Sequence, residues 1–358
     1  MLGCTLTDTR VSMASAETDE RFMRAALREA RKGLGRTSPN PAVGAILVSR
    51  DKIVARGHHR QSGAAHAEVE CLRNVAGSVP GGATLYVTLE PCSTSGRTGA
   101  CTDEIIRAGI RTIVIGATDV NPRHQGRGIG LLKRAGVEVR TGVLADECAA
   151  LNEVFNKWVL TGRPFVIAKC GMSLDGRLTR PPGEPRWITD AAARHHAHGQ
   201  RALVDAILVG AETVRKDDPR LTVRGRRGAK QLWRIVLTRS GNLPQQARLF
   251  SDRLAERTLI YKRKPLAVVL DDLGRKNITS VMFEGGGQVL GQALDARLID
   301  KVQIYLGPIL TGGPVIAFPG LGAAATQNAA SLERVSYTRV GQSVCITGYP
   351  KPRESQGM

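Results

Sequence analysis

The sequence predicts two α/β domains, and three observations support this fold class. The chain has 358 residues, more than the roughly 250–300 residues at which a single hydrophobic core stops growing. Short β-branched runs alternate with helical apolar periodicity through both halves, which is typical of sheets covered by helices. Turn-forming residues interrupt this alternation at Thr161-Gly162-Arg163-Pro164, so we place the domain boundary there.

The first predicted domain covers residues 17–161, and we expect residues 1–16 to form an unstructured leader. Apolar residues at helical spacing predict a first helix over residues 20–32. The elements expected after it are a hairpin of strands at 43–48 and 53–55, helices at 66–75, 101–108, 130–135 and 145–160, and strands at 83–89, 112–116 and 137–141. This alternation predicts a sheet with helices on both faces.

The second predicted domain covers residues 165–352 and again alternates strands with helices. Its expected strands lie at 165–170, 206–209, 234–237, 258–261, 280–283, 301–306 and 344–348. The pattern predicts a second α/β domain.

Composition favours a soluble, cytoplasmic protein. Hydrophobic residues make up 42% of the chain, and no apolar run approaches the roughly 20 residues that span a bilayer. Seven cysteines at wide spacing in a long chain fit reduced thiols and metal ligation better than a disulfide framework. We therefore expect a cytoplasmic location and no membrane partner.

The formal net charge of +19 has two interpretations. A basic surface can bind nucleic acid by releasing condensed counterions, or the cations can be solvated surface residues and pockets for small phosphorylated ligands. Charge is spread along the chain, and aromatic residues make up only 4%, so the stacking platforms of single-strand binders are scarce. We expect no nucleic-acid partner.

Four residues in the first domain predict a metal centre: His66, Glu68, Cys92 and Cys101. Imidazole and two thiolates can hold Zn²⁺ in three of its four positions, which leaves the fourth for a water whose pKa the metal lowers. Glutamate two positions after the histidine then moves protons without being a ligand. Each half alone would fit a capping histidine or small core cysteines, but the joint pattern favours a zinc-dependent nucleobase deaminase.

Local structure around Cys92 is also predictable. A strand ends in Glu90-Pro91-Cys92, and proline is favoured in the first turn of a helix. We expect a helix to begin there, with its free N–H groups stabilising the Cys92 thiolate. His66 is expected at the start of the helix that precedes this strand.

The spacing of the cysteines points to a subfamily. The usual deaminase signature has two residues between its cysteines, whereas eight separate Cys92 from Cys101. The segment from Glu90 to Cys101 resembles that of the bifunctional riboflavin-biosynthesis deaminase/reductases. The family's usual form has two histidines where Thr94 and Ser95 stand, and two prolines where Gly99 and Ala100 stand.

Neighbouring motifs extend the resemblance. Pro39-Asn40-Pro41-Ala42-Val43-Gly44 is similar to the family's Pro-Asn-Pro-x-Val-Gly, and implies that Asn40 helps to hold the substrate. Asp119-Val120-Asn121-Pro122, followed by Gly126-Arg127-Gly128, is similar to a later family motif. The family implies a cytidine-deaminase-like three-layer α/β/α fold for this half, with one zinc ion per deaminase domain.

The second half carries a longer signature. Lys169-Cys170-Gly171-Met172-Ser173-Leu174-Asp175-Gly176 resembles the family's Lys-x-x-x-Ser-Leu-Asp-Gly, and the segment from Asp217 to Arg224 resembles a later motif. The resemblance covers roughly residues 20–350 and implies a dihydrofolate-reductase-like fold that uses NADPH.

The resemblance implies site residues for the reductase. Lys169 and Asp217 lie at the reacting end. Substrate contacts are implied for Pro185, which stands where relatives often have a serine, and for Arg201, Leu221, Arg224 and Glu284, with Arg201 and Arg224 holding the phosphate. Cofactor contacts are implied for Gly171, Trp187, Thr213, Asp217, Arg239 and the run Glu284, Gly285, Gly286, Gly287, Gln288, Val289 and Leu290. Arg239 stands near a nucleotide-contacting serine of the family, and we hypothesise that it serves the 2′-phosphate of NADPH.

The implied function is a pair of consecutive steps in riboflavin biosynthesis. The first is zinc-dependent hydrolytic deamination of 2,5-diamino-6-(5-phosphoribosylamino)pyrimidin-4-one. The second is NADPH-dependent reduction of the ribosyl side chain to ribityl, by an enzyme expected to be a homo-oligomer, either a dimer or a tetramer. Two alternatives stay open: a nucleic-acid deaminase, for example one acting on tRNA adenosine, with an appended domain, and a non-catalytic zinc-stabilised relative.

Overall fold

The structure, a computed structural model, describes residues 6–94, 99–179, 184, 187–224 and 230–351, with the side chains of residues 6–15 left out. The chain divides into two compact units, Met1–Thr161 and Gly162–Met358. The division falls at the predicted boundary. Across the described residues, no helix has both the length and the apolar character needed to cross a membrane.

The first unit alternates helices and strands largely as expected. Its elements are α1 (Leu6–Arg31), β1 (Gly44–Ser49), β2 (Lys52–His58), α2 (Ala67–Arg73), β3 (Thr84–Leu89), α3 (Cys101–Arg107), β4 (Thr112–Ala117), α4 (Arg127–Arg134), β5 (Glu138–Thr141), α5 (Ala145–Leu151) and α6 (Glu153–Thr161).

A five-stranded sheet of order β2-β1-β3-β4-β5 forms the middle layer of this unit. β1 runs antiparallel to β2 and β3, whereas β3, β4 and β5 are parallel. Helices α2, α3 and α4 pack one face through residues such as Cys71, Ile105 and Leu132. Helices α1 and α5 pack the other through Phe22, Leu27 and Cys148. The predicted three-layer α/β/α arrangement is confirmed.

The first helix is longer than the apolar stripe predicts. α1 begins at Leu6, so the expected unstructured leader over residues 1–16 is wrong from residue 6 onwards. The reason is local, because the segment from Leu6 to Arg31 contains neither glycine nor proline and is rich in good helix formers. Residues 1–5 lie outside the described residues.

The single helix expected over residues 145–160 is divided in two at Asn152. The Asn152 side chain is buried, accepts the backbone N–H of Ala42 at 2.8 Å and donates to the Ala42 carbonyl at 3.0 Å. This pairing, between residues 110 positions apart, ties the break between α5 and α6 to the loop that contains Asn40.

The second unit contains the remaining elements. They are β6 (Phe165–Ser173), α7 (Ala191–Arg201), β7 (Ala206–Gly210), α8 (Ala211–Asp217), β8 (Trp233–Thr238), α9 (Arg248–Ser251), β9 (Thr258–Lys262), α10 (Leu266–Arg275), β10 (Ser280–Glu284), α11 (Gly287–Asp295), β11 (Lys301–Gly307), β12 (Leu332–Val340) and β13 (Ser343–Pro350).

These strands form one eight-stranded sheet of order β12-β13-β11-β6-β10-β7-β8-β9. The six strands from β11 to β9 in that order are parallel, so their carboxyl ends lie along one edge. Helices α10 and α11 cover one face of the sheet. Helices α8 and α9 contribute to a second hydrophobic core on the opposite face. Parallel sheets of this kind bind ligands at the carboxyl ends of their strands.

Strand β12 is missing from the expected elements. It pairs with β13 through a hairpin, and most of its residues are exposed on both faces. Edge strands of this kind bury too little apolar surface for a strong alternating pattern. The two-residue turn Gly341-Gln342, with Gly341 at φ 64°, was the available signal.

Candidate active sites

The three predicted metal ligands meet in the first unit. His66 is the residue that precedes α2, with extended backbone at φ −71° and ψ 163°, and Cys101 is the first residue of α3. Cys92 follows the end of β3. His66 Nδ1 lies 3.2 Å from Cys101 Sγ and 3.5 Å from Cys92 Sγ, and all three ligand atoms lie within 4.8 Å of one another.

These separations fit a tetrahedral zinc ion. With Zn–S near 2.3 Å and Zn–N near 2.1 Å, nitrogen and sulfur ligands of one tetrahedral ion lie about 3.5 Å apart. The donor set of one imidazole and two thiolates is also the set that zinc prefers. The residues present therefore fit the metal.

The helix start expected at Pro91 is wrong. Residues 91–93 are not helical, and the next helix is the one predicted over residues 101–108, which begins at Cys101. A backbone donor at a helix start still reaches Cys92 as predicted, because the N–H of Cys101 donates to Cys92 Sγ at 3.4 Å. Two helix starts, those of α2 and α3, thus meet at the ligands.

The two thiols differ in acidity. Hydrogen bonding from the Cys101 thiol and backbone, together with His66, outweighs burial and lowers the pKa of Cys92 to about 4. The same contact with Cys92, together with burial, raises the pKa of Cys101. The pair shares one proton, and a bound cation would release it.

Glu68 lies beside the ligands and is 3% exposed. Burial, together with the negative charge at Cys92, raises the pKa of Glu68 to about 7. A carboxyl group with that pKa can accept and donate a proton near neutral pH, which is what a general acid/base requires.

Asn40 and His59 form the adjoining part of the site. Asn40 Nδ2 lies 3.1 Å from His59 Nε2, and His59 Nδ1 lies 3.0 Å from the Ala65 carbonyl. The His59 and His66 rings meet edge to face at 5.3 Å. Burial lowers the pKa of His59, so Nδ1–H donates to Ala65 while Nε2 accepts from Asn40. His59 is not among the residues predicted from the sequence, although Gly57-His58-His59 at the end of a strand was a possible signal.

The loop that departs from the family pattern is only partly described. Thr94 is exposed, Gly99 is exposed with φ 64°, and Ala100 is buried immediately before α3. Ser95 lies outside the described residues.

The predicted reductase residues gather at the carboxyl edge of the second sheet. Lys169 on β6 and Glu284 at the end of β10 are direct neighbours in the strand register, and Lys169 Nζ lies 3.9 Å from Glu284 Oε2. Gly171, two residues further along β6, faces Thr189, since a Cβ added there would lie 3.5 Å from Thr189 Cγ2.

Arg201 forms a buried bidentate ion pair with Glu284. Its Nε and Nη2 donate to the two carboxylate oxygens at 2.6 and 2.7 Å, and its Nη1 donates to the Thr222 carbonyl at 3.1 Å. Burial alone would raise the pKa of Glu284, but the Arg201 and Lys169 charges outweigh it and lower that pKa to about 2. Arg201 thus has protein partners for three nitrogens, and its role as a phosphate ligand stays a prediction.

A cluster of cations surrounds His198 on α7. Burial, followed by the charges of Arg201 and Arg224, lowers the pKa of His198 to about 4. Arg224 is exposed, whereas Leu221 is buried with φ 48°. Three cations, Arg201, Arg224 and Lys169, and one carboxylate, Glu284, act on this imidazole, so the net charge is positive where an anionic substrate group is predicted. His198 is not among the residues predicted from the sequence.

The glycine-rich turn after β10 has the backbone of an anion cradle. Gly285 and Gly286 have φ values of 72° and 73°, which favour glycine, and α11 begins at Gly287. A Cβ on Gly286 would lie 3.4 Å from Thr213 Oγ1, so Thr213 borders the turn. Gln288 is exposed, while the Val289 and Leu290 side chains belong to the hydrophobic core. Those two residues can therefore reach a cofactor only through their backbone.

The other predicted cofactor residues are more exposed. Asp217 ends α8, and Arg239 follows β8 at the same edge of the sheet. Trp187 is 45% exposed, and the Arg194 guanidinium lies 4.9 Å from its ring centre. Pro185 lies outside the described residues.

Fold and sites together define a class of protein. A three-layer unit with a histidine, two cysteines and a buried glutamate has the layout of a zinc-dependent nucleobase deaminase, and the second unit has the sheet and glycine turn of a nucleotide-dependent reductase. Two family models agree with this division. The cytidine and deoxycytidylate deaminase zinc-binding region matches residues 16–117, and the RibD C-terminal domain matches residues 164–346.

Curated relatives and solved structures match nearly the whole chain. The riboflavin biosynthesis protein RibD of Bacillus amyloliquefaciens is 37% identical, over 93% of this chain and 96% of its own. RibD from Escherichia coli (strain K12) is 36% identical, over 92% and 98%. RibD from Acinetobacter baumannii superposes with a TM-score of 0.87 at 33% identity, over 94% of this chain and 100% of its own.

A third solved structure, from Thermotoga maritima, is described as a diaminohydroxyphosphoribosylaminopyrimidine deaminase/5-amino-6-(5-phosphoribosylamino)uracil reductase. It matches with a TM-score of 0.86 at 33% identity, over 94% of this chain and 100% of its own. The chain belongs to the RibD family of bifunctional deaminase/reductases of riboflavin biosynthesis. The predicted fold class, enzyme class and pathway are confirmed, and the nucleic-acid deaminase and non-catalytic alternatives are not favoured.

Proposed function

We propose that the first unit deaminates 2,5-diamino-6-(5-phosphoribosylamino)pyrimidin-4-one and that the second reduces the product to 5-amino-6-(5-phosphoribitylamino)uracil. The observation that carries the deaminase half is the buried Glu68 beside His66, Cys92 and Cys101. The description of the Thermotoga maritima relative as a deaminase/reductase of this pyrimidine supports the choice of substrate.

His66, Cys92 and Cys101 would hold one zinc ion in each deaminase unit. Zinc, when bound, supplies an activated water at neutral pH. Hydrolytic deamination adds water to the amino-bearing carbon and releases ammonia, so one group must take a proton and later deliver one to the departing amine. Glu68 is suited to both tasks because its pKa lies near 7.

Asn40 and His59 are suited to holding the pyrimidine. Both are polar, adjoin the ligands and orient each other through the Nδ2 to Nε2 contact. The tautomer of His59 is held by the Ala65 carbonyl, so its Nε2 accepts from Asn40 Nδ2 and fixes the orientation of the Asn40 amide. Hydrogen bonding of this kind discriminates strongly among heterocycles, because an unmatched buried polar group is costly.

The reductase half requires a hydride donor and an anion site. NADPH, when bound, supplies the hydride, and the backbone of Gly285, Gly286 and Gly287 offers N–H groups for its phosphates. Lys169 and Asp217 are assigned to the reacting end, where Lys169 can stabilise charge on the sugar oxygen. The cations near His198 support binding of the substrate phosphate by Arg201 and Arg224.

One assay tests both halves. Purified protein with zinc, NADPH and the diaminopyrimidinone substrate is followed for ammonia release and for NADPH oxidation, with tRNA as a second substrate. We expect Glu68→Gln to abolish ammonia release while zinc stays bound and the deaminated substrate is still reduced. We expect Lys169→Met to release ammonia from the diaminopyrimidinone but not to reduce the deaminated product. Ammonia from tRNA, or full ammonia release by Glu68→Gln, would contradict the assignment.

Two finer proposals accompany this function. Arg239 serves the 2′-phosphate of NADPH, since it is an exposed cation at the strand edge where the cofactor is proposed to bind. Arg239→Ala should then lose most of its preference for NADPH over NADH, and an unchanged preference would contradict the role. The enzyme is also proposed to be a homo-oligomer, either a dimer or a tetramer, which light scattering can test.

A further inference from the structure

Glu90 is a buried carboxylate that neither proposed reaction uses. It follows β3 and immediately precedes Pro91-Cys92, and it is 5% exposed. Its Oε2 accepts the backbone N–H groups of Asp119 at 3.2 Å and Gly126 at 3.0 Å. Its Oε1 accepts those of Gly128 at 3.0 Å and Ile129 at 3.2 Å. A buried carboxylate is costly unless it is satisfied, and here four donors satisfy it.

The carboxylate is the N-terminal cap of α4. The residue before this helix is Gly126, with φ 73° and no side chain that could cap. The first N–H groups of a helix lack partners within it, and Glu90 reaches across from β3 to bind two of them. A negative charge at that position also interacts favourably with the helix dipole.

Close packing joins α4 to the backbone that leads into Cys92. A Cβ placed on Gly128 would lie 2.1 Å from the Pro91 carbonyl oxygen and 3.3 Å from Glu90 Oε1. Only glycine allows this approach. The start of α4 therefore lies directly against the residue that precedes the metal ligand.

The same carboxylate organises the loop after β4. Asp119 donates its N–H to Glu90, and its own Oδ1 accepts the N–H of Asn121 at 2.8 Å. Asn121 Oδ1 in turn accepts the N–H of Arg123 at 3.1 Å. The Asp119 to Pro122 and Gly126 to Gly128 motifs, which neither reaction uses, are thus explained as the loop and helix start that bind Glu90.

We propose that Glu90 is a positioning residue of the metal site. By fixing the loop after β4 and the start of α4 against Pro91, its carboxylate holds the Cys92 backbone where Sγ can reach His66 and Cys101. The inference rests on the zinc site proposed above. Groups that position metal ligands from outside the coordination sphere typically change affinity or activity by about 10- to 100-fold when removed.

Glu90→Gln in the full-length chain tests this role. Glutamine has the same size, but its NH₂ group is a donor. It cannot accept the hydrogen bonds that the backbone N–H groups donate to the Glu90 carboxylate. We expect zinc transfer to a chromogenic chelator to become about tenfold faster or more, and kcat for deamination to fall by about 10- to 100-fold. The visible spectrum of the Co²⁺-loaded variant should shift. Amide hydrogen exchange at Gly128 and Ile129 should accelerate, while kcat and KM of the reductase stay as in the wild type.

Glu104→Gln is the matched control, because it removes a carboxylate from α3, the helix that begins with Cys101. The Glu104 side chain is 38% exposed and pairs with Arg107 on the surface, so we expect all readouts to equal those of the wild type. If Glu90→Gln is only less stable to heat, with zinc transfer and Co²⁺ spectrum equal to the control, the inference is overturned.

Gly128→Ala provides a second test that leaves the carboxylate in place. Its Cβ should push α4 away from Pro91 and reproduce the faster zinc transfer, and it decides the question if Glu90→Gln does not fold. Wild-type zinc transfer kinetics in Gly128→Ala would contradict the inference. A wild-type protein that takes up no zinc would instead overturn the proposed metal site, and the positioning role with it.

Discussion

Replacing Glu284 by glutamine should destabilise the reductase unit strongly. Both members of the Arg201–Glu284 pair have side chains only 9% exposed, and the substitution leaves the Arg201 charge buried without its anion. Breaking a buried pair on one side costs about 3–5 kcal/mol. The lowering of the Glu284 pKa from its usual 4.5 to about 2 corresponds to about 3 kcal/mol in favour of the ionised carboxylate, which agrees in size.

The sign of the pH dependence follows from that lowered pKa. Glu284 is ionised in the folded protein down to a pH near 2, whereas in the unfolded chain it takes up its proton near 4.5. Its contribution to stability is therefore present above about pH 4.5 and is lost as the pH falls towards 2. Glu284→Gln should remove this part of the acid sensitivity.

Urea unfolding followed by tryptophan fluorescence measures the effect, since the reductase unit contains Trp187 and Trp233. With a slope of about 2 kcal/mol per molar urea, the expected loss lowers the midpoint by about 1.5 M or more. The matched control is Glu212→Gln, which removes the partner of Arg215 in an exposed pair on α8 and should leave the midpoint unchanged.

A double substitution separates pairing from packing. Replacing both charged residues with apolar ones, as in Arg201→Met with Glu284→Leu, should recover much of the stability, because the buried guanidinium is removed together with its carboxylate and only the more exposed Lys169 loses an anion. The reasoning is refuted if Glu284→Gln unfolds at the same urea concentration as Glu212→Gln.

Three further changes test other parts of the structure. His198→Gln should reduce the loss of stability between about pH 6.5 and 4, where the unfolded imidazole binds a proton and the folded one does not. Because His198 is only half-buried, we expect about 1 kcal/mol, measured by urea unfolding at each pH. Gly44→Ala should cost about 1–3 kcal/mol, since its Cβ would lie 2.1 Å from a backbone oxygen of α1, whereas Gly81→Ala, with open space around it, should be neutral in thermal melts. Asn152→Ala should cost about 1–3 kcal/mol by leaving the Ala42 backbone groups unpaired, and should raise KM for deamination but not for reduction.

Sequence patterns were sufficient to predict that His66, Cys92 and Cys101 come together, because each lies at or near the end of a helix or strand. His66 and Cys101 each mark the start of a helix, and Cys92 marks the end of a strand. Parallel strands then bring such termini to one edge of a sheet, so order along the chain predicts proximity. Lys169 and Glu284 were expected in one site only through the family resemblance, and the register of β6 and β10 brings their side chains together.

Contacts between distant loops were beyond the reach of pattern analysis. Asn152 appears in the sequence as one polar residue within a helical segment, and its partner Ala42 lies 110 positions away. Glu90 appears as the residue before Pro-Cys, although its four donors come from a loop and helix start that begin 29 positions later. In both cases the partners of the side chain are backbone groups. Nearly every residue has such groups, so residue type does not indicate which of them will form the hydrogen bond.

Arg201 illustrates a different limit: the sequence can predict that an arginine belongs to a site without predicting which anion it binds. A motif can predict that Arg201 serves the reductase site, yet guanidinium binds carboxylate and phosphate with the same bidentate geometry. The structure places a carboxylate against Arg201 and leaves Arg224 exposed. If the substrate phosphate is to bind both arginines, Arg201 must accept it while holding Glu284. Because the Arg224 side chain is exposed whereas the Arg201 pair is buried, removing Arg224 should weaken substrate binding without the loss of stability expected when the Arg201 pair is broken.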